Sequence, residues 1–285
     1  MKKILITETQ YRNVRKFLLE KEVRSYVFDW DDNILRMPTK VKMEKKENGK
    51  WVPITLSTEE FANVRKDPNY RLTPNSFEDF TDNASFLKDA ETAIHNNSFA
   101  PSYKKFIEAL TYANPFAINT ARGHSPETLK KGVKLFIKMV MTPEQKKMMV
   151  SNIQKELPAE LTKGLNPAQL LDLYLDERGE YYPVSSTEFG ERFGIDVAGG
   201  ASNPEHSKQV AIEHFTKKVF NGVKQHMING DYKKISLGFS DDDIRNVKAV
   251  EKFITDELSK LYPEVHFVIY DTSEGGKKKM VIEKE

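Results

Sequence analysis

Short apolar runs that stop abruptly at polar residues recur along the sequence, and they predict the strands of a central sheet. The clearest runs lead into Asp29, Thr120 and Asp241, and a further strand is predicted over 266–270. Longer segments with apolar residues at helical spacing separate these runs. Since strands that alternate with helices are typical of parallel sheets, the sequence predicts a three-layer α/β/α sandwich with a mostly parallel sheet.

The segment between the first two strands has the pattern of an insertion. Two β-like stretches, 39–43 and 51–56, flank a polar segment that contains Asn48-Gly49. Asn-Gly between such stretches is a strong hairpin signal. We therefore predict an insertion over about 34–101, in which a β-hairpin flap is followed by an irregular cap.

Two further segments complete the predicted organisation. Residues 7–22 have helical periodicity and predict an N-terminal helical arm over 1–23, ahead of the main domain over 24–285. A largely helical stretch over about 130–182 is a second candidate insertion. Either insertion is positioned in the sequence to cover a site at the strand ends.

Composition narrows the class of protein without identifying a partner. The chain has 285 residues with 44 basic and 42 acidic side chains, a balance that predicts no strong overall field for nucleic acid or membrane. The absence of cysteine excludes disulfides, thiol nucleophiles and cysteine-based zinc sites. No apolar run approaches the length of a membrane span, so we expect a cytoplasmic protein without a membrane partner.

Asp29 and Asp31 are the first candidates for chemistry. Residues two apart in an extended segment point the same way, so both carboxylates are expected to face one volume. Such a pair repels unless a cation lies between its members, and Mg2+ is the usual cation. A solvated turn or a helix cap is the structural alternative. An EF-hand loop is excluded because Ile34 and Lys40 occupy positions that require Gly and Glu.

The second strand end offers a different kind of group. Thr120 is followed by Gly123 and by Ser125, which precedes a predicted helix. A hydroxyl, backbone N–H groups and a helix N-terminus together predict a phosphate-binding loop. An ordinary strand-to-helix connection capped by Ser125 accounts for the same residues, and the two interpretations stay open.

The last strand of this kind ends in three acids, Asp241, Asp242 and Asp243, and the helix before it carries Lys208. We expect Asp241 and Asp242 to be the functional pair, with Asp243 as a third candidate. Because the carboxyl ends of parallel strands meet at one edge of a sheet, these groups are predicted to converge with Asp29.

Taken together, these motifs resemble the haloacid dehalogenase superfamily of phosphohydrolases, which has a Rossmann-like core. The four family motifs are matched by Asp29 with Asp31, by Thr120, by Lys208 and by Asp241 with Asp242. The whole sequence is also similar to phage-encoded members and to the phosphatase half of phage polynucleotide kinase/phosphatase. Asn33 departs from the first motif, which has Thr or Val at that position.

The resemblance implies a Mg2+-dependent phosphomonoesterase that forms an aspartyl-phosphate. Asp29 is then the nucleophile, and Asp31 protonates the leaving alkoxide before it activates water. The implied Mg2+ ligands are Asp29, Asp31 through its backbone carbonyl, Asp241 and Asp242. The implied substrate-binding residues are Thr120, Ala121, Arg122 and Lys208. The expected partner is a phosphorylated small molecule or a nucleic-acid end, in the host cytoplasm if the protein is phage-encoded, with no obligate protein partner.

Other functions remain open at this stage. A phosphotransferase of the same fold and a catalytically silent structural or binding protein of a phage share these motifs. Nucleic acid as the substrate predicts a basic and aromatic lining beside the site. The candidates for that lining are the hairpin residues Lys40, Lys42, Lys45, Lys46 and Trp51.

Overall fold

The computed structural model describes residues 22–197, 204–228, 234–273 and 278–281. The helix predicted over 7–22 lies outside these ranges, apart from Glu22. Glu22 and Val23 belong to the first strand, so the arm assigned to 1–23 ends too late by two residues.

The described strands and helices follow one another much as the pattern predicts. The strands are β1 (Glu22–Phe28), β2 (Val41–Glu47), β3 (Lys50–Leu56), β4 (Tyr70–Leu72), β5 (Phe116–Thr120), β6 (Gly179–Pro183), β7 (Lys234–Asp241), β8 (Val265–Asp271) and β9 (Lys278–Val281). The helices are α1 (Thr58–Val64), α2 (Asn83–His95), α3 (Tyr103–Thr111), α4 (Pro126–Val140), α5 (Pro143–Glu156), α6 (Ala159–Thr162), α7 (Pro167–Glu177), α8 (Thr187–Phe193), α9 (Pro204–Ile228), α10 (Ile244–Phe253) and α11 (Ser259–Leu261). A 3-10 turn spans Glu78–Phe80, and a π-helical turn over Ile254–Leu258 joins α10 to α11.

The main sheet has six strands in the order β6-β5-β1-β7-β8-β9. All neighbours are parallel except β8 and β9, so the predicted mostly parallel sheet is confirmed. From β1 the chain builds outward through β5 and β6 on one side, and then returns to add β7 and β8 on the other. The order of strands therefore reverses between β1 and β7, where sheets of this kind bind ligands.

Helices cover both faces of the sheet, as the sandwich prediction requires. Side chains alternate between the faces along each strand, so Tyr26 and Phe28 pack on one side and Val27 packs on the other. The first face buries residues of α2, α3, α4, α5 and α7. The second face buries residues of α8, α9, α10 and the π-helical turn.

A small antiparallel sheet, in the order β3-β2-β4, lies between β1 and β5 in the chain. The predicted hairpin is confirmed: β2 pairs with β3, and Asn48 and Gly49 have φ values of 50° and 78°. Positive φ at both central residues is the geometry of a type I′ turn, which Asn-Gly favours. The strand β4 was not predicted.

The helices within the second predicted insertion contribute to the core. Leu170, Tyr174 and Leu175 of α7 are buried in the same cluster as Phe116 of the central strand β5. These helices therefore form part of one layer of the sandwich. Among the described residues no helix is both long enough and apolar enough to cross a membrane.

Candidate functional site

The carboxyl ends of β1 and β7 lie side by side and carry the central acids of the site. The backbone N–H of Asp29 donates to the carbonyl of Ser240 at 3.0 Å, which continues the pairing of the two strands by one residue. Asp29 and Asp241 are buried, and Asp242 is partly buried. Carboxylate oxygens of these three residues all lie within 4.8 Å of one another. The predicted pair Asp241 and Asp242 is therefore placed beside Asp29.

Lys208 reaches this acidic group from the first turns of α9. Its Nζ lies 2.9 Å from Asp29 Oδ2 and 2.7 Å from Asp241 Oδ2, and its side chain is 1% exposed. The Asn119 side chain donates to the Lys208 carbonyl at 3.1 Å and so ties α9 to β5. Lys218, further along the same helix, instead pairs with Glu180 at 2.7 Å. Lys208 is thus the lysine that the fold brings to the strand ends.

Burial and mutual repulsion control the ionisation of these groups. Burial raises the pKa of Asp29 to about 7; Lys208 opposes this rise, and the neighbouring carboxylates add to it. The pKa of Asp242 rises to about 9, first through burial and then through the charge of Asp241 and its neighbours. Burial lowers the pKa of Lys208, but Asp241 and Asp29 outweigh that effect and hold it above the ordinary range.

Asp31 faces a different partner from Asp29. Both of its oxygens accept from the Arg122 guanidinium, at 2.7 Å from Nε and 2.7 Å from Nη2. Arg122 is buried near the start of the loop that follows β5, and its guanidinium lies 4.8 Å from the Phe80 ring centre. The Asp31 carboxylate therefore lies outside the group formed by Asp29, Asp241 and Asp242. Arg122 was predicted to bind substrate, whereas its contact with Asp31 was not foreseen.

The loop after β5 is held by contacts that use several of its N–H groups. Thr120 is buried, with its hydroxyl 3.5 Å from Asp31 Oδ2, and Ala121 is exposed beside it. The Gly123 N–H donates to a carbonyl at 3.1 Å, and the Ser125 N–H donates to an asparagine side chain at 3.2 Å. Ser125 also caps α4 through the N–H of Thr128. These contacts favour the structural interpretation of the loop, although the Thr120 hydroxyl remains beside the site.

Asp243 and Asn33, the remaining candidates, have structural partners. Asp243 caps α10 and forms an ion pair with Arg245. Asn33 is fully buried, and its Oδ1 accepts from the Ser240 hydroxyl at 2.9 Å. Asn33 therefore links the loop after β1 to β7.

The insertion between β1 and β5 lies across the mouth of the site. Thr58, the first residue of α1, donates to the Asp32 carboxylate beside Asp31. At the other end of this helix, Arg65 Nη2 lies 3.9 Å from Glu205 Oε1, in the first turn of α9. The helix therefore spans from the loop after β1 to the helix that carries Lys208. Sequence reasoning did not single out Thr58 or Asp32, although the capping box of Ser57 with Glu60 marks where α1 begins.

No protein-family model matches this sequence, and comparisons with curated proteins and with solved structures gave no match.

Proposed function

We propose that this protein hydrolyses phosphate monoesters with the help of Mg2+, through a phosphorylated Asp29. The observation that carries the proposal is the group of Asp29, Asp241, Asp242 and Lys208 at the point where the strand order reverses. Ligands of open α/β sheets bind in the crevice at such a point. The arrangement also has the groups that the resemblance to the haloacid dehalogenase superfamily requires.

The donor set fits Mg2+. Three carboxylates and one ammonium leave an excess of negative charge when all four groups are ionised. Carboxylate oxygens are the ligands that Mg2+ prefers. The pKa values of Asp29 and Asp242 are raised first by burial and then by the charge of neighbouring carboxylates, and a bound cation offsets both effects. Asp29, Asp241 and Asp242 are the residues that would hold it. Bound Mg2+ neutralises charge on the phosphoryl group and on its nucleophile.

Asp29 is placed to be the nucleophile. Lys208 supplies a positive charge at 2.9 Å from one carboxylate oxygen and so favours the ionised form. The other oxygen accepts from the Trp30 N–H at 2.7 Å, which fixes the orientation of the carboxylate. Attack of this carboxylate on phosphorus forms the aspartyl-phosphate and breaks the bond to the leaving alcohol. The hydroxyl of Thr120 and the ammonium of Lys208 offset charge on the phosphoryl oxygens.

Asp31 is the group for proton transfer in this proposal. It gives a proton to the leaving alkoxide, and it then takes one from the water that hydrolyses the aspartyl-phosphate, so the two steps restore its starting state. Both of its oxygens accept from Arg122 in the structure. One of these hydrogen bonds has to open when Asp31 carries its proton, because a protonated oxygen no longer accepts in the same geometry.

Contacts on the hairpin favour a small phosphate ester over a long nucleic-acid strand. Lys42 pairs with Glu78 and Asp79, and Lys45 pairs with Glu47 at 3.1 Å. The Trp51 ring is covered by an arginine guanidinium 4.3 Å from its centre. The exposed Lys40 and Lys46 remain, and two such charges give a weaker attraction for a polyanion than the predicted lining of four.

Hydrolysis of p-nitrophenyl phosphate tests the proposal. We expect turnover that requires Mg2+ and falls by at least about a thousandfold in Asp29→Asn, because removal of a nucleophile removes the covalent pathway. Asp256→Asn makes the same substitution at an exposed position and is the matched control. Equal release of nitrophenol and inorganic phosphate distinguishes hydrolysis from phosphoryl transfer to another acceptor. A folded Asp29→Asn variant with unchanged turnover contradicts the proposal.

Calorimetric titration with Mg2+ gives a readout that does not depend on turnover. We expect binding by the native chain and weaker binding by Asp242→Asn, since that change removes one of the three carboxylates. Absence of Mg2+ binding by the native protein contradicts the proposed metal site.

A further inference from the structure

Three phenylalanine rings of the first insertion form a connected surface, which we call the aromatic arch (Phe61, Phe77 and Phe80). The ring centres of Phe61 and Phe77 are 5.5 Å apart and those of Phe77 and Phe80 are 5.9 Å apart, both edge to face. Phe77 is 36% exposed, and the other two rings are partly exposed. None of the three belongs to either buried core cluster. The arch is therefore an aromatic surface that is open to solvent.

One end of the arch is fixed beside Asp31. The Phe80 ring lies 4.8 Å from the Arg122 guanidinium carbon, and Arg122 holds both oxygens of Asp31. The backbone makes a second connection here, because the Gly123 N–H donates to the Phe80 carbonyl at 3.1 Å. Phe80 thus follows Arg122 directly in a chain of contacts that starts at the proposed proton donor.

The other end of the arch is fixed beside Asp32. Phe61 lies three residues after Thr58 in α1 and so shares its side of the helix. Thr58 donates to the Asp32 carboxylate. The two ends of the arch are therefore linked to Asp31 and to Asp32, which are neighbours in the loop after β1.

The position of the arch beside Asp31 indicates which part of a substrate would contact the rings. In the proposed reaction Asp31 protonates the leaving alcohol, so the alcohol lies on the Asp31 side of the phosphate. Lys42 forms ion pairs with Glu78 and Asp79, two residues that lie between Phe77 and Phe80 in the sequence. These pairs neutralise the lysine, so the rings and not its charge are the feature that a substrate would meet. Aromatic faces and edges attract planar rings in stacked or edge-to-face contact.

We propose that the aromatic arch binds a planar aromatic ring in the leaving alcohol of the phosphate ester. This inference rests on the proposed function, since it takes Asp31 as the group that faces the leaving alcohol. Two sources have this chemistry, a nucleoside and a simple aryl alcohol. In both cases Phe77 determines specificity through contact with the ring, and takes no part in the transfer of the phosphoryl group.

The test compares Phe77→Ala with the native protein on adenosine monophosphate, phenyl phosphate and glycerol 3-phosphate. We expect the preference in kcat/KM for a ring-bearing ester over glycerol 3-phosphate to fall by about tenfold, the scale of a lost ring contact. If the preference falls for both ring-bearing esters, a ring alone suffices for binding. If it falls for adenosine monophosphate and not for phenyl phosphate, the nucleoside is the source. Tyr112→Ala removes an aromatic side chain that is 53% exposed elsewhere and is the matched control. An unchanged preference in Phe77→Ala overturns the inference.

A binding measurement separates this inference from the proposed function. Asp29→Asn and the double variant Asp29→Asn/Phe77→Ala are titrated with adenosine monophosphate and phenyl phosphate in the presence of Mg2+. Weaker binding of either ester by the double variant supports the arch even when the native protein hydrolyses no ester, an outcome that would defeat the proposed function alone. Equal binding of both esters by the two variants overturns the arch and leaves the proposed function in place. Thermal unfolding of each variant verifies that the fold is intact.

Discussion

Arg122 and Asp31 form a two-pronged ion pair in which each carboxylate oxygen lies 2.7 Å from a different guanidinium nitrogen. The pair is asymmetric: the side chain of Arg122 is 1% exposed, whereas that of Asp31 is 15% exposed. The planar guanidinium is also packed between the rings of Phe80 and Phe86. Arg122 is therefore held in place by its surroundings, and it fixes the orientation of the more exposed Asp31 carboxylate.

Replacement of Arg122 by lysine tests the importance of that orientation. Lysine retains the charge but offers a single flexible ammonium in place of the planar fork, so the Asp31 carboxylate is no longer fixed by two parallel hydrogen bonds. We expect kcat for p-nitrophenyl phosphate to fall by about tenfold or more. Arg192→Lys, at a partly exposed ion pair with Glu180, is the matched control and is expected to retain native activity. Native kcat in a folded Arg122→Lys variant would show that the fork is dispensable.

Thr39 connects this ion pair to the first insertion, and its hydroxyl is the next target. Arg122 Nη2 donates to Thr39 Oγ1 at 2.8 Å, and the same hydroxyl donates its proton to Asp89. Thr39→Val keeps the shape of the side chain and removes both hydrogen bonds. The buried Arg122 then loses an acceptor, and the Asp89 carboxylate loses a donor. We expect unfolding free energy to fall by about 1–3 kcal/mol and kcat to fall with it. Thr39→Ser keeps the hydroxyl and is expected to retain most of the native unfolding free energy and most of the native kcat. Denaturant unfolding measures the first quantity, and steady-state kinetics measure the second.

The architecture and the central acids follow from the sequence for a simple reason. Apolar runs that end at Asp29, Thr120 and Asp241 mark buried strands, and parallel pairing places their carboxyl ends at one edge. That logic predicts the sandwich and the proximity of Asp29 to Asp241, and Asn48-Gly49 between two β-like stretches predicts the hairpin. The choice of Lys208 among the lysines of α9 rested on the resemblance, since periodicity alone does not show which lysine of a helix faces the strand ends.

The orientation of the Asp31 side chain could not be predicted from the strand pattern. Alternation of side chains holds only while the chain is extended, and β1 ends at Phe28. The chain then bends at Trp30, between the two acids, so Asp29 and Asp31 no longer share a face as two residues of a strand would. The contacts of Thr39 and Thr58 with the site were likewise out of reach, because they join segments that no local pattern relates.

The stability of the metal-free protein is expected to depend on pH through Asp29 and Asp242. Their folded-state pKa values are about 7 and about 9, above the ordinary aspartate value, so between about pH 4 and those values the folded state holds protons that the unfolded chain has lost. Stability from these groups is therefore greatest at low pH and falls as pH rises through this window. Asp242→Asn removes one of these two groups. In EDTA, the Tm of this variant minus the native Tm should therefore increase from pH 5 to pH 9.

Mg2+ should reverse that trend in the native protein. At the proposed site the ion would bind the deprotonated carboxylates, so its affinity and its stabilising effect are expected to rise with pH over the same window. The measurement is Tm with Mg2+ minus Tm in EDTA at each pH. A Tm difference that is flat with pH, or equally large in Asp242→Asn, would contradict the assignment of these acids to the metal site.

Gly132 in α4 lies against the core beneath Arg122, and a methyl group at this position tests how tightly that core supports the site. A Cβ on residue 132 would lie 2.6 Å from Phe86 Cε1 and 3.2 Å from Phe86 Cζ. The Phe86 ring is fully buried, with the Trp30 ring centre at 5.4 Å and the His124 ring centre at 4.9 Å. The ring therefore has little room to move away from an added methyl group.

We expect Gly132→Ala to lower the unfolding free energy by about 1–2 kcal/mol, because the overpacking cost exceeds the gain of about 1 kcal/mol in helix propensity. Gly222→Ala in α9 should instead show that gain, because no heavy atom beyond the neighbouring residues and the backbone of its own helix lies within 4 Å of the new Cβ. Phe86→Leu removes the clashing ring atoms, so in its background Gly132→Ala should cost less than in the native protein. Since Phe86 also packs 5.4 Å from the Arg122 guanidinium, a displaced ring should lower kcat as well as stability. A Gly132→Ala variant as stable as Gly222→Ala would mean that the core beneath Arg122 yields easily, and the fixed orientation of Asp31 would then need another explanation.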